Sequence, residues 1–242
     1  MFIIIIQARM GSTRLPGKVM KCILDEPIIS WVYKRSKLSN ADDIIVSTSI
    51  NKENDIIEQY CNNNEIKIYR GSENDLLDRY YQTIQTFYPD STDINIIRIT
   101  CDCPFIDTGI INEMIDFFKN NDYNYIINHS DDGITPEGST VEIINYKYLE
   151  YLWNNIKDPE FREHATGLLT KKKYINLFEN IKTYKYTINF NSDLDQKKYK
   201  FIKLSVDTND DFERSIQIAD YFNTMYFKYT DIFVFFNNIF NK

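Results

Sequence analysis

Glycine and histidine are both scarce in this chain, with seven glycines and two histidines among 242 residues. No stretch is rich in proline, glycine or serine, which argues against a flexible linker, and no internal repeat is found. The composition is nevertheless globular, since 43% of the residues are hydrophobic and 26% are charged. Because α/β chains of this length often fold as one unit, we predict a single domain over residues 1–242.

Positive charge is also in deficit, because 28 Lys and Arg residues stand against 35 Asp and Glu residues and the formal net charge is -7. Nucleic-acid binding depends on a dense field of cations, so we expect no nucleic-acid partner. The apolar run at residues 2–6 is too short to span a membrane, and no basic segment precedes it as in a signal peptide. We therefore expect a cytoplasmic protein without a membrane partner.

Two common kinds of site have no sequence support. Cys101 and Cys103 form one Cys-x-Cys, but Cys22 and Cys61 lie far apart and no second pair completes a zinc cluster. We interpret all four as reduced thiols. A hydrolase of the Ser-His-Asp kind is not indicated either, because no G-x-S-x-G elbow occurs.

Apolar β-branched runs alternate with helical patterns, which is typical of a mostly parallel sheet covered on both faces. We predict an α/β fold with three α/β/α layers and a mixed sheet. Turn residues within 131–138 predict an inserted hairpin or flap at 128–145, and the amphipathic tail at 223–242 predicts a C-terminal helix. The predicted strands are residues 2–7, 44–49, 66–69, 95–100, 123–128, 141–145, 184–190 and 201–206. The predicted helices are residues 27–38, 52–61, 73–87, 107–119, 148–155, 160–169 and 212–222.

A short loop rich in cations follows the first predicted strand. Ligands of an open α/β sheet bind beyond the carboxyl ends of its strands, where this loop lies. Its small residues can offer backbone amides to phosphate oxygens, while Arg and Lys side chains supply positive charge. We therefore predict a phosphate-binding loop that contains Arg9, Gly11, Ser12, Thr13, Arg14 and Lys18.

This loop does not fit the better-known nucleotide motifs. A P-loop requires four residues between its glycines and a hydroxyl residue after its lysine, but five residues separate Gly11 from Gly17, and Val19 follows Lys18. No G-x-G-x-x-G is present for a dinucleotide. The two histidines, His129 and His164, are too far apart to form a His-x-Gly-His nucleotidyltransferase motif.

Two aspartates follow predicted strands at the same edge of the sheet. Asp102 comes after residues 95–100, and Asp207 comes after residues 201–206. Magnesium prefers oxygen ligands, so both carboxylates are candidate metal ligands. Helix capping is the alternative for each of them, and it stays open for Asp207 in particular.

Residues 5–19, IIQARMGSTRLPGKV, resemble the opening of cytidylyltransferases of the spore-coat polysaccharide biosynthesis type. That family is related to the synthetases that make CMP-sialic acid and CMP-Kdo. The resemblance extends to about Phe222 and leaves out only the tail. Its further matches are RGS at 70–72, LDRYY at 77–81, RITCDCPFID at 98–107, REH at 162–164 and SVDT at 205–208.

The resemblance implies a Rossmann-like, GT-A-like nucleotidyltransferase that forms a homodimer and moves CMP from CTP to a sugar with release of pyrophosphate. The sugar would be acidic or charged, of the 2-keto-3-deoxy or sialic type, and the product would serve surface polysaccharide or glycan synthesis. Magnesium would bind Asp102 and Asp207. The implied catalytic residues are Arg9, Arg14, Lys18 and Asp102. The implied nucleotide contacts are Gln7, Ala8, Gly11, Ser12, Thr13, Ser72, Arg79 and Thr100, and the implied sugar contacts are Glu142, Arg162 and His164.

The sequence departs from the family pattern at two positions. Thr140 stands where an acid is usual, and Cys101 stands where glycine usually precedes the aspartate. These departures motivate a second hypothesis, a nucleotide-binding module without catalysis. A third hypothesis is a UTP- or GTP-using sugar-phosphate nucleotidyltransferase, although the loop of those enzymes normally runs longer before its lysine.

Overall fold

The computed structural model describes residues 1–129, 135–169, 181–188 and 202–240. Within these residues, seven strands form one mixed sheet and two short strands, β2 (Cys22–Ile23) and β3 (Glu26–Pro27), form a separate antiparallel ribbon. The strands of the main sheet are β1 (Phe2–Gln7), β4 (Asp43–Ser49), β5 (Lys67–Gly71), β6 (Asn95–Thr100), β7 (Tyr125–Ile127), β8 (Glu142–Asn145) and β9 (Thr183–Lys185).

The spatial order of the main sheet is β5-β4-β1-β6-β8-β7-β9. The first four strands in this order are parallel, β8 runs antiparallel to both of its neighbours, and β9 is parallel to β7. The predicted mostly parallel, mixed sheet is therefore confirmed. β7 and β8 are joined by residues 128–141, of which 130–134 lie outside the described residues, so the flap stays a prediction.

Helices cover both faces of the sheet because the central strands bury side chains on both sides. Along β1, Ile3 and Ile5 pack into one hydrophobic cluster, whereas Ile4 and Ile6 pack into the other. The helices are α1 (Ile28–Ser36), α2 (Asp55–Asn63), α3 (Leu76–Phe87), α4 (Thr108–Lys119), α5 (Tyr146–Asn155), α6 (Pro159–His164), α7 (Asn209–Phe222) and α8 (Tyr229–Phe240). Helices α3, α5 and α6 contribute to the cluster of Ile3, and α1, α2, α4, α7 and α8 contribute to that of Ile4.

The strand predicted at 201–206 is wrong within its described residues, 202–206. This segment makes only one isolated bridge, between Lys203 and Glu137. Its backbone amides bind elsewhere: the Leu204 amide donates to the Glu137 carbonyl and the Val206 amide to the Asp102 carbonyl. The segment therefore lies across two loops instead of joining the sheet.

Other predicted bounds also shift. The helix predicted at 160–169 ends at His164 and continues as a 3-10 turn over Ala165–Leu168. The strand predicted at 184–190 is observed as Thr183–Lys185, and residues 189–190 lie outside the described part. All four cysteines are free, as the sequence predicts. Among the described helices, none has both the length and the apolar character needed to cross a bilayer.

Candidate active site

A polar pocket of about 320 Å³ opens at the carboxyl ends of β1 and β6. These two strands are parallel neighbours, and Gln7 is directly opposite Thr100. The pocket thus lies where an open α/β sheet binds its ligands. It is lined by Gln7, Arg9, Gly11, Ser12, Thr13, Arg14, Lys18, Val19, Thr100, Cys101, Asp102 and Asp207.

The predicted phosphate loop is closed on itself by backbone hydrogen bonds. The carbonyl of Met10 accepts from the amides of Ser12, at 2.8 Å, and of Gly17, at 3.1 Å. Gly17 has a φ of 68°, a left-handed conformation that glycine adopts without a steric penalty, and it returns the chain to the strand end. Of the three small residues predicted to offer amides, Ser12 uses its amide within the loop, whereas those of Gly11 and Thr13 make no hydrogen bond to the described residues.

A buried asparagine fixes this loop to the neighbouring strand. Asn54 is fully buried, and its side-chain oxygen accepts from the Met10 amide at 2.8 Å. Its side-chain nitrogen donates to the Ser49 hydroxyl at the end of β4, at 2.9 Å. Asn54 was not identified from the sequence, because nothing local indicates that it contacts residue 10.

Lys18 lies at the centre of the pocket and joins its two acids. Its Nζ atom is 2.8 Å from Asp102 Oδ2 and 3.0 Å from Asp207 Oδ1. The Lys18 side chain is 11% exposed, so the ammonium is largely shielded from solvent. The cations near the amino terminus and the two distant aspartates therefore meet at one place, as the sequence predicts.

Asp207 is surrounded by further cations. Arg14 Nη2 lies 3.0 Å from its Oδ1, and Lys203 Nζ lies 3.1 Å from its Oδ2. Gly138 allows the segment that carries Asp207 to approach closely, since an added Cβ would lie 2.4 Å from the Ser205 nitrogen. Lys203 was missed by the sequence analysis. The sequence feature that could have indicated it is its position four residues before Asp207, because residues at this spacing share one face of the strand that was predicted there.

Neither aspartate caps a helix. The cap of α7 is Thr208, whose hydroxyl accepts from the Asp211 amide in a capping box. The cap of α4 is Asp107. The capping alternative for Asp102 and Asp207 is therefore wrong, and both carboxylates are directed into the pocket.

The pairing in the pocket shifts the pKa values of Lys18 and Asp207. Burial acts to lower the pKa of Lys18, but the carboxylates of Asp102 and Asp207 outweigh it and raise that pKa. Burial acts to raise the pKa of Asp207, but hydrogen bonds and charge from Lys18 and Lys203 lower it overall. These groups are therefore charged at neutral pH and form a cluster of ion pairs.

The donor set of the pocket fits magnesium. Asp102 and Asp207 each place an oxygen within 3.0 Å of one ammonium, so a cation at that place can be shared by both. In the described ranges, no group of three or more His, Cys, Asp or Glu side chains is arranged so that it could hold a metal ion by itself. A metal here would take its other ligands from phosphate oxygens and water, as Mg²⁺ usually does.

Three residues predicted to contact the nucleotide, Ala8, Ser72 and Arg79, lie beside this pocket, whereas Arg9 is part of its lining. Arg9 pairs with Glu73 at 3.2 Å, and an exposed fraction of 49% leaves its side chain accessible. Arg79 is 1% exposed, and its Nη1 donates to the Ser72 carbonyl at 2.9 Å. Ala8 is buried at the end of β1. Ser72, Arg79 and Ala8 do not line the pocket, and their nucleotide contacts stay predictions.

The residues predicted to contact the sugar also lie outside the pocket lining. Glu142 is 2% exposed and pairs with Arg98. Arg162 pairs with Asp75 at 2.7 Å and donates to two backbone carbonyls. His164 is exposed at the end of α6. Their sugar-binding roles stay predictions.

The relationship of this chain to known proteins follows from sequence and structure. A family model described as Cytidylyltransferase matches residues 3–232. The spore coat polysaccharide biosynthesis protein SpsF of Bacillus subtilis is 30% identical over 217 residues, which are 86% of this chain and 82% of that protein.

Solved structures share the architecture. A cytidylyltransferase from Leptospira borgpetersenii has a TM-score of 0.84 and 32% identity, over 98% of this chain and 94% of that chain. CMP:2-keto-3-deoxy-manno-octonic acid synthetase, solved with CTP, has a TM-score of 0.62 and 16% identity, over 90% of this chain and 98% of that one. The second likeness is one of fold. Because the family model spans the phosphate loop and both pocket aspartates, the chain belongs to the cytidylyltransferase family.

Proposed function

We propose that this protein transfers CMP from CTP to a sugar and releases pyrophosphate. The observation that carries the proposal is the pocket in which Arg14 and Lys18 meet Asp102 and Asp207. Cations and amide donors suit a triphosphate, and paired carboxylates suit the divalent cation that accompanies it. Membership of the cytidylyltransferase family supports CTP as the nucleotide.

In the proposed reaction, a sugar hydroxyl oxygen attacks the α-phosphorus of CTP in line with the departing pyrophosphate. The new bond joins the sugar oxygen to phosphorus, and the bond from the α-phosphorus to the bridging oxygen breaks. The hydroxyl proton passes to the Asp207 carboxylate or to water. No side-chain nucleophile is required.

The side chains of the loop act by binding and neutralising the triphosphate. Arg9, Arg14 and Lys18 supply positive charge, and the amides of Gly11 and Thr13 donate to phosphate oxygens. Asp102 and Asp207 would hold Mg²⁺, which when bound adds further positive charge at the triphosphate. Because Lys18 is bonded to both acids, it is positioned to move from them to the phosphates when these bind.

We further propose that the sugar is acidic or otherwise charged, of the 2-keto-3-deoxy or sialic type. The name of the structural relative that makes a CMP-linked 2-keto-3-deoxy acid supports this class, and that of SpsF supports a product used in surface polysaccharide synthesis. Among the proposed sugar contacts, His164 is exposed to a ligand. Arg162 and Glu142 are held by protein partners and would support the wall of the sugar site.

Pyrophosphate release tests the proposal. The purified protein is incubated with Mg²⁺, one of CTP, UTP, GTP or ATP, and a panel of acidic sugars and sugar 1-phosphates. We expect release that needs both CTP and an acidic sugar. A preference for UTP or GTP with a sugar phosphate would support the sugar-phosphate nucleotidyltransferase instead. Stabilisation by CTP without pyrophosphate from any sugar would support a non-catalytic nucleotide-binding module.

The proposed reaction also bears on location and assembly. We propose that the protein is cytoplasmic, as the sequence predicts. We include in the proposal the homodimer that the resemblance implies. Light scattering tests it, and a mass equal to one chain at micromolar concentration contradicts it.

A further inference from the structure

Gln7, at the end of β1, is the one pocket-lining residue among those described that offers a neutral side-chain amide. Its side-chain oxygen accepts from the Tyr80 hydroxyl at 3.1 Å and from Arg98 Nη2 at 3.4 Å. A guanidinium has only donors, so the atom of Gln7 that faces Arg98 must be the oxygen. The amide orientation, which is often ambiguous, is fixed here by chemistry.

The amide nitrogen of Gln7 is therefore turned away from Arg98. Within the described residues this nitrogen has no hydrogen-bond partner, yet it is not fully buried. It is thus accessible and, since Gln7 lines the pocket, it presents its two N–H donors there.

A buried charge pair holds this arrangement. Arg98 on β6 is directly opposite Glu142 on β8, and their side chains form an ion pair. The second oxygen of Glu142 accepts from the Tyr125 hydroxyl at 3.0 Å and from the Thr166 hydroxyl at 2.6 Å. Glu142 thus accepts only from donors, which lie on β6, on β7 and in the 3-10 turn after α6. Because these contacts fix Glu142, the ion pair fixes Arg98 beside Gln7.

The charges in this network cancel, which decides what kind of ligand group the amide suits. Phosphates and carboxylates of a ligand are matched by the cations of the loop, Arg9, Arg14 and Lys18. The Gln7 amide is neutral, and the charges of Arg98 and Glu142 behind it cancel. Its N–H groups therefore suit a neutral acceptor, such as a ring carbonyl.

We propose that the Gln7 amide donates a hydrogen bond to a carbonyl oxygen of the pyrimidine ring of the bound nucleotide, with Arg98, Glu142 and Tyr80 as positioning residues. This inference rests on the proposed function, because it assumes a pyrimidine nucleotide. Glu142 would then act on the ligand indirectly, since it orients Arg98 and Arg98 orients Gln7.

Calorimetric titration with CTP and with inorganic tripolyphosphate, both with Mg²⁺, tests the contact. Gln7→Leu should weaken CTP binding about tenfold, as expected for one lost hydrogen bond and its unpaired partners, and leave tripolyphosphate binding unchanged. Gln85→Leu is a matched control, because Gln85 is a half-buried glutamine that pairs with the Tyr146 hydroxyl away from the pocket. It should alter neither affinity.

The outcomes separate this inference from the proposed function. Unchanged CTP affinity in Gln7→Leu overturns the inference and leaves the function intact, and so does a variant that changes only the KM of the sugar. Equal affinity of the natural protein for CTP and tripolyphosphate shows that no base is bound, which overturns the proposed function as well.

The positioning role has its own test. Glu142→Gln should raise the KM of CTP several-fold while kcat at saturating CTP is retained. A merely structural effect would lower kcat through a smaller folded fraction, with KM unchanged, and that result contradicts the role. If Glu142→Gln does not fold, Tyr80→Phe, which removes one hydroxyl, takes its place with the same expected and contradicting results.

Discussion

The ammonium nitrogen of Lys18 lies 2.8 Å from a carboxylate oxygen of Asp102, although 84 positions separate the two residues in sequence. The same nitrogen is 3.0 Å from Asp207. One lysine thus holds both acids at the pocket without a ligand. When a triphosphate and its cation bind, the phosphates can replace the acids as partners of Lys18, and the cation can replace Lys18 as partner of the acids.

Lys18→Met should lower kcat/KM for CTP by about 100-fold to 1,000-fold, as loss of one charged donor to a developing anion does. It also leaves two carboxylates facing each other without their shared cation. Steady-state kinetics at varied CTP measure the effect. Lys34→Met is the matched control, since Lys34 pairs with Glu26 on the surface of α1, and it should leave kcat/KM unchanged. A loss of less than threefold in Lys18→Met would remove Lys18 from the mechanism.

Asp102→Asn should weaken binding of a divalent cation to the complex with CTP by about tenfold or more, because a neutral amide oxygen is a poorer ligand than a carboxylate. Titration with Mn²⁺, followed by the paramagnetic resonance signal of the free ion, measures this affinity without turnover. Asp116→Asn, at an exposed position of α4, should bind Mn²⁺ as the natural protein does. Equal affinity in the two variants would contradict a metal site at Asp102.

Glu142→Leu should lower the free energy of unfolding by about 3–5 kcal/mol, since it leaves the Arg98 guanidinium without its anionic partner. Urea unfolding monitored by circular dichroism measures the change. Glu213→Leu, at an exposed position of α7, should change stability by no more than about 0.5 kcal/mol. A similar, small effect of both substitutions would show that Arg98 finds another partner or is hydrated.

Asp211 links the Asp207 segment to α7. It accepts from the amides of Asp207 and Thr208 and pairs with Lys203 and Arg214. Burial acts to raise its pKa, but these partners outweigh burial and lower the pKa well below its ordinary value of 3.8. Asp211→Asn should therefore lower the free energy of unfolding by about 2 kcal/mol at pH 7.

The loss of unfolding free energy in Asp211→Asn should depend on pH in a definite direction. A carboxyl whose pKa is lowered by folding stabilises the fold fully above the unfolded pKa, and this stabilisation is lost as the pH falls towards the folded pKa. The free energies of unfolding of the natural protein and of Asp211→Asn should differ by a constant amount from pH 7 to pH 5, and this difference should shrink below about pH 4. Urea unfolding at each pH measures this, with Asp220→Asn, exposed on α7, as control. A difference that grows on acidification would contradict the assignment.

The parts of the structure that depend on neighbouring residues were predictable from the sequence. The apolar run of β1 must be buried on both faces, and the loop after it carries its cations within a few residues, so position and chemistry are both local. The edge of the sheet at which Asp102 lies was predictable for the same reason, because Asp102 follows β6, a second buried strand that is parallel to β1.

The parts that depend on distant partners were not predictable. Ile202, Leu204 and Val206 alternate as in a strand, yet their backbone bonds go to Glu137 and Asp102, which no local pattern indicates. The same holds for Arg98 and Glu142, which meet only because β8 runs antiparallel beside β6. The family resemblance implies a sugar contact for Glu142, which stays a prediction, but it does not indicate the buried protein groups that Glu142 contacts.

The ion pair of Lys18 with Asp207 joins residues 189 positions apart. During synthesis, the phosphate loop and Asp102 leave the ribosome long before Asp207 exists. A chain whose translation stops between them can hold the first acid near Lys18 but lacks the second. Premature termination before residue 207 should therefore yield fragments that lack one of the two acids on which the proposed function depends.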